Sequence, residues 1–358
     1  MTQQIKSIQA LRGLACLAVV TFHFRYQLES DYPVLTKLLS TGAIGVDLFF
    51  ILSGFVITLS VSRMGTGIAA AGDFLKRRAL RLLPAYFILL LINFLLSGAM
   101  ATFHYADKTQ ALISAATFSV YLPQHAPFYV DDSGFMGVRW TLNYEFLFYL
   151  MMSVCLLAHA RWMALTALLC AVLIALPMTF GYQPTLFVRG YDMGYAYLNL
   201  MTNPIIWQFA AGVLIGLIYP YMARLPVAIR VPFLLTALAL LVQHIMSFQH
   251  TGHGLMASGT ILALLLAAVA FNDSWLGRIT PRCLVLLGDI SFSVYLIHIL
   301  AKDRLSKYFT DQGMMFFVIN VLVALLLGWL SYRYIEPVGQ KVARRRTKKS
   351  LSNAGNAA

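Results

Sequence analysis

Residues 11–24, LRGLACLAVVTFHF, are apolar except for an arginine near one end, Arg12, and a histidine near the other, His23. At about 100° per residue, the eleven steps between them come to roughly three full turns. On a helix both side chains therefore share one face, about 16 Å apart along the axis, or about half the thickness of a bilayer core. An ionisable residue inside a membrane span costs about 2.5–3.5 kcal/mol on insertion scales, so it faces a partner or a watery cavity. Two on one face of one helix mark a path leading inward from one membrane surface. The plainer alternative is that Arg12 snorkels to the surface and His23 caps the far end.

Composition sets the class around this helix. Of 358 residues, 59% are hydrophobic and 11% charged, against about 45–50% and 25% in soluble proteins. The sequence is that of an all-α polytopic membrane protein with about ten transmembrane helices, near residues 8–24, 43–62, 79–100, 139–158, 162–180, 200–220, 228–247, 254–271, 283–301 and 313–335. The weaker run 111–122 is too short to span and is expected to be re-entrant or to lie on the surface. With the N-terminus inside, most of the 27 lysines and arginines fall on the cytoplasmic side, which places both termini there. The membrane domain is expected over residues 1–340, followed by a basic, disordered cytoplasmic tail over 341–358. The net charge of +13 follows this topology and gives no reason to invoke a nucleic-acid partner. Cys16, Cys155, Cys170 and Cys283 lie in or beside apolar runs without paired spacing, so neither a disulfide framework nor a zinc site is read. His244, His250 and His253 fit no metal-ligand pattern either, and no metal is expected.

The topology sorts the buried polar residues into two layers. The outer layer gathers His23, Asp47, Glu145 and His298, with Trp140, Asn143 and Tyr149 in the outer half of their span and Tyr295 near His298. The inner layer gathers Arg12, Asp289, Arg333, Glu336 and the basic loop KRRALR, residues 76–81. A histidine beside carboxylates is a plausible acid–base set, and the plainer account is helix–helix hydrogen bonding. Arg77, Arg78 and Arg81 suit phosphate oxygens, because planar guanidinium forks pair with them bidentately. The plainer account there is the positive-inside rule alone.

Five stretches together resemble the acyltransferase family 3 of integral membrane proteins: the Arg12–His23 spacing, GVDLFFILSGF at 45–55, RRALRLLP at 77–84, WTLNYEFLFY at 140–149, and GDISFSVYLIH at 288–298 followed by IEP at 335–337. They stand in order over nearly the whole chain. Thr141 stands where serine is common, and Phe292 where tyrosine is frequent. The resemblance implies an acyl-coenzyme A donor and, as the usual acceptor, a hydroxyl of a cell-surface or lipid-linked carbohydrate, in the bacterial inner membrane. Some members carry a further extracytoplasmic domain; here the acceptor is expected to meet the membrane domain directly.

On this reading Arg12, Arg77, Arg78 and Arg81 hold the acetyl-CoA phosphates at the cytoplasmic mouth. His23 is the general base, since an ordinary histidine pKa near 6.5 suits proton transfer at neutral pH. Glu145 or Asp47 orients its ring. Trp140, Tyr149, Tyr295 and His298 support the site, the first two as candidate oxyanion donors. Two alternatives keep the polar interior and change the chemistry: a glycan or lipid transporter or flippase, and an O-acyltransferase of a cytoplasmic small molecule.

Overall fold

The computed structural model describes residues 5–248, 252–309 and 313–338. His250 and the 341–358 tail lie outside them. Among the described residues the regular structure is helical throughout. The helices that matter for the site are α1 (Lys6–Phe24), α2 (Ile44–Val61), α3 (Ile68–Leu96), α4 (Ala106–Thr117), α5 (Trp140–Cys155), α6 (Arg161–Thr179), α7 (Trp207–Met222), α8 (Val227–Met246), α9 (Leu255–Phe271), α10 (Arg282–Leu305) and α11 (Met314–Tyr334).

Among the described residues, eight helical segments are long and apolar enough to cross a membrane, and α9 with the short helix Asp273–Ile279, bent by 83°, makes a ninth. The remaining sequence span is α5, whose 16 residues cover about 24 Å at 1.5 Å per residue. It sits in the interior, with Asn143, Tyr144, Phe148 and Tyr149 buried.

Small residues set the closest helix crossings. A Cβ added at Gly13 or Gly288 would strike the backbone of the opposing helix, so α1 and α10 meet backbone to backbone there. Gly54 and Gly212 do the same for α2 and α7. In lipid, where apolar side chains gain little by leaving their surroundings, such close approach is a main source of helix association. The first crossing fixes the site, because it carries α1 and α10 side by side from the Gln9–Asp289 hydrogen bond at one end to His23–His298 at the other.

One local expectation changes. The basic run 76–81 is helical and not a loop, because α3 begins at Ile68. Its 29 residues measure about 43 Å, against about 30 Å for the hydrocarbon core, so the first turns project beyond it. The stretch around 111–122 forms α4 and an irregular segment that caps the far end of the bundle. Tyr86 and Tyr144 donate to the carbonyls of Ala115 and Pro127, each at 2.8 Å, and the Asn199 amide donates to Pro123 at 3.0 Å.

Candidate active site

A cavity of about 1300 Å³ opens between α1, α2, α3, α5, α10 and α11. It exceeds the roughly 300–1,000 Å³ usual for small-molecule pockets. Its lining carries seven cationic side chains against four carboxylates. Arg63 and Arg77 stand exposed at the mouth, and Arg77 pairs with Asp73 at 3.2 Å. Arg12, Arg78 and Arg81 lie on the wall. Arg78 is buried, its guanidinium 5.5 Å from the ring centres of both Phe74 and Tyr149. Among the described residues no carboxylate lies within ion-pair distance of Arg12, Arg78 or Arg81. The helical spacing explains the convergence: Arg78 and Arg81 are three apart on α3 and share the inward face with Phe74.

Asp289 and Glu336 join this wall as the inner layer requires; Asp289 accepts from Gln9 at 2.8 Å and Glu336 from Ser293 at 2.6 Å. Arg333 does not; it is exposed and outside the lining. Glu145 moves between layers. It lines the arginine cavity and accepts a hydrogen bond from Tyr149, one turn further along α5. Depth along the span put Glu145 beside His23, but the face of α5 on which it lies turns it toward the arginines.

The cavity ends on a floor of Phe50, Thr141 and Tyr295. The Tyr295 phenol donates to the Val138 carbonyl at 2.9 Å and pairs with the Thr141 hydroxyl at 3.0 Å. Behind that ring, 5.8 Å away, is the fully buried imidazole of His298. His298 Nε2 lies 3.2 Å from His23 Nδ1.

The neighbouring carbonyls settle where the protons sit. His298 Nδ1 is 2.7 Å from the Tyr295 carbonyl, which can only accept, so Nδ1 carries the hydrogen and Nε2 the lone pair. His23 Nδ1 faces both that lone pair and the Val19 carbonyl at 2.9 Å, so it too carries its hydrogen. His23 Nε2 is left as an unprotonated nitrogen without a partner among the described residues. His23 is half-buried, whereas His298 is completely so.

Asp47 is elsewhere. It is fully buried and accepts from the Gly254 amide at 2.9 Å, His253 Nδ1 at 3.0 Å, Ser258 at 3.2 Å, and the Gln208 amide. Neither Asp47 nor Glu145 hydrogen-bonds to His23, whose ring is oriented by His298 and Val19 instead. Trp140 lies outside the cavity lining, its ring centre 5.6 Å from that of His253. Gln9, Thr141, Gln208, His253 and Ser258 are the contributors that sequence reasoning missed. His253 was visible only as one of three unplaced histidines.

A multi-pass helical bundle around a cation-lined cavity defines a polytopic integral membrane protein. The profile of the acyltransferase domain family, acyltransferase 3, matches residues 5–333, and the chain belongs to that family. It is 29% identical over 333 residues to the exopolysaccharide production protein ExoZ of Rhizobium meliloti, covering 88% of this chain and 95% of ExoZ. It is 26% identical over 324 residues to nodulation protein 10 of Rhizobium leguminosarum bv. viciae, covering 87% and 85%. To the peptidoglycan O-acetyltransferase OatA of Listeria monocytogenes it is 24% identical over 359 residues, covering 93% of this chain and 55% of OatA, so it spans about half of that relative. No solved structure matches the chain.

Proposed function

We propose that this protein transfers an acetyl group from cytoplasmic acetyl-CoA to a hydroxyl of a cell-surface or lipid-linked carbohydrate at the bacterial inner membrane. The observation that carries the reading is the cavity itself. Three arginines with no carboxylate within ion-pair distance among the described residues line it, and it ends within one ring of a histidine pair. Unpaired guanidinium forks suit the phosphates of CoA. The slender pantetheine arm then runs down the cavity toward Tyr295, whose ring swings off the Val138 carbonyl to admit the thioester. Family membership supports acyl transfer. The names of ExoZ and OatA support a glycan as acceptor.

His23 Nε2 takes the proton of the acceptor hydroxyl as its oxygen forms a bond to the thioester carbon. The tetrahedral intermediate collapses with cleavage of the C–S bond. The same proton returns to the departing thiolate, giving the ester and free CoA. The imidazolium formed in between keeps its Nδ1–H on the Val19 carbonyl and His298 Nε2, so a neutral imidazole does the orienting that a carboxylate does in a triad.

The test is to supply the purified protein with labelled acetyl-CoA and with surface polysaccharide of the host strain, stripped of its esters by mild base. Label on the glycan with matching release of free CoA is expected. A transporter or flippase would give neither, and a small-molecule acyltransferase would leave the glycan unlabelled.

A further inference from the structure

The buried carboxylate of Asp47 and the histidine it holds form a second imidazole site, distinct from the His23–His298 pair. Asp47 is 0% exposed, while the side chain of His253 keeps 16% of its surface open. Asp47 already has the Gly254 amide, the Ser258 hydroxyl and the Gln208 amide as donors. His253 Nδ1 takes up the last of its roughly four lone-pair positions. A carboxylate in that setting only accepts, so the hydrogen of His253 is on Nδ1 and the lone pair is on Nε2. Nε2 has no partner among the described residues, and it is not one of the sealed polar atoms. A fourth donor serving only Asp47 would need no second nitrogen.

The surroundings name the guest. From His253 a row of rings runs through Trp140 and Phe128 to His125, with centres 5.6, 4.9 and 5.2 Å apart. His125 and Phe128 belong to the capping segment and are half-buried. Aromatic faces carry negative charge density and attract polarised C–H groups, and an imidazole lone pair accepts from a hydroxyl. A saccharide offers both. The location agrees. Asp47 is at the end of α2 away from Arg63, which stands at the mouth of the arginine cavity. The sixteen steps between them span about 24 Å. We infer that His253, held by Asp47 at the end of the ring row through Trp140, Phe128 and His125, binds a hydroxyl of the carbohydrate acceptor at the face opposite the CoA phosphates. This rests on the acceptor being a carbohydrate, as proposed above.

Two measurements on the full-length protein in detergent test it, with the base-treated host polysaccharide as probe. The first follows carbethoxylation of His253 by diethyl pyrocarbonate, read by peptide mass spectrometry without any acyl donor. The polysaccharide should slow it at least about fivefold, and an unchanged rate overturns the site. The second uses His253→Asn, whose amide nitrogen reproduces the Nδ1–H bond to Asp47 but offers nothing at Nε2. The acceptor KM should rise about fivefold, the loss of one neutral hydrogen bond, with acetyl-CoA affinity within about twofold of wild type. An unchanged acceptor KM reduces His253 to a structural partner of Asp47. If the variant no longer binds acetyl-CoA, the wild-type protection result decides. Protection without acetyl transfer by wild type would keep this site and remove the acetyl-CoA reading. Transfer without protection would do the reverse.

Discussion

The two ends of the helical interior hold their charges in opposite ways. At the open end, Arg12, Arg78 and Arg81 line a cavity of about 1300 Å³ with no carboxylate within ion-pair distance among the described residues. At the far end, Asp47 is wrapped by four donors at 0% exposure, His23 and His253 are bonded through Nδ1, and the buried His298 through both nitrogens. An interior that leaves cations unpaired keeps room for an anionic guest, since desolvating a charge without a partner is costly. An interior that spends its donors on fixing imidazole tautomers keeps neutral bases in a set orientation. On the proposed function this difference divides the work: the cation-lined end would bind the donor, and the far end would move protons.

Variants at the two ends should separate those roles. The largest effect is expected for His23→Ala, which should lower acetyl transfer by about 10²–10⁴-fold while acetyl-CoA still binds. Normal transfer by the purified variant would remove the base from the far end. At the mouth, Arg78→Lys with Arg81→Lys keeps the charge and loses the forks. Insertion should be normal and acetyl-CoA affinity at least about tenfold lower, from one or two charge-assisted bonds at about 1.5–3 kcal/mol each. Calorimetry with dephospho-CoA and pantetheine as controls checks this. Unchanged affinity would return these arginines to topology alone.

Replacing His298 by phenylalanine removes the acceptor that helps hold the His23 hydrogen on Nδ1. A loss of roughly tenfold in kcat, with the acetyl-CoA KM unchanged, is expected from one hydrogen bond of about 1.4 kcal/mol. Equal losses in binding would show that the pair merely packs the helices. The smallest effect belongs to Tyr295→Phe, which frees the floor ring from Val138. Hydrolysis of acetyl-CoA without acceptor should rise a few-fold, the scale of one neutral hydrogen bond. A fall would show that the phenol takes part in the chemistry and is not a closure.

What could be read in the sequence follows the same divide. Arg12 and His23 lie on one helix, so the 3.6-residue period alone aligns them, and Arg78 and Arg81 share a face of α3 for the same reason. The ten apolar runs all reappear, α5 shortened and α9 bent. The start of α3 is hidden in the sequence because charged residues at 73–81 break the apolar run without breaking the helix. Glu145 lines the arginine cavity and not the outer layer because depth along a span is legible in sequence, while the direction of its face depends on neighbours. Asp47 and His253 are 206 residues apart. Nothing local links them, and the link exists only once the segment that opens α9 packs against α2. The His23–His298 contact, 275 residues apart, likewise awaited the Gly13–Gly288 crossing.

The central claim is that a donor held at the mouth reacts with an acceptor at the far end. Sealed proteoliposomes test it most directly, with labelled acetyl-CoA enclosed inside and base-treated host polysaccharide only outside. The account requires labelled acetyl esters on the external polysaccharide while the released CoA stays within, and neither with His23→Ala. Transfer that occurs only when donor and acceptor share a compartment would contradict it.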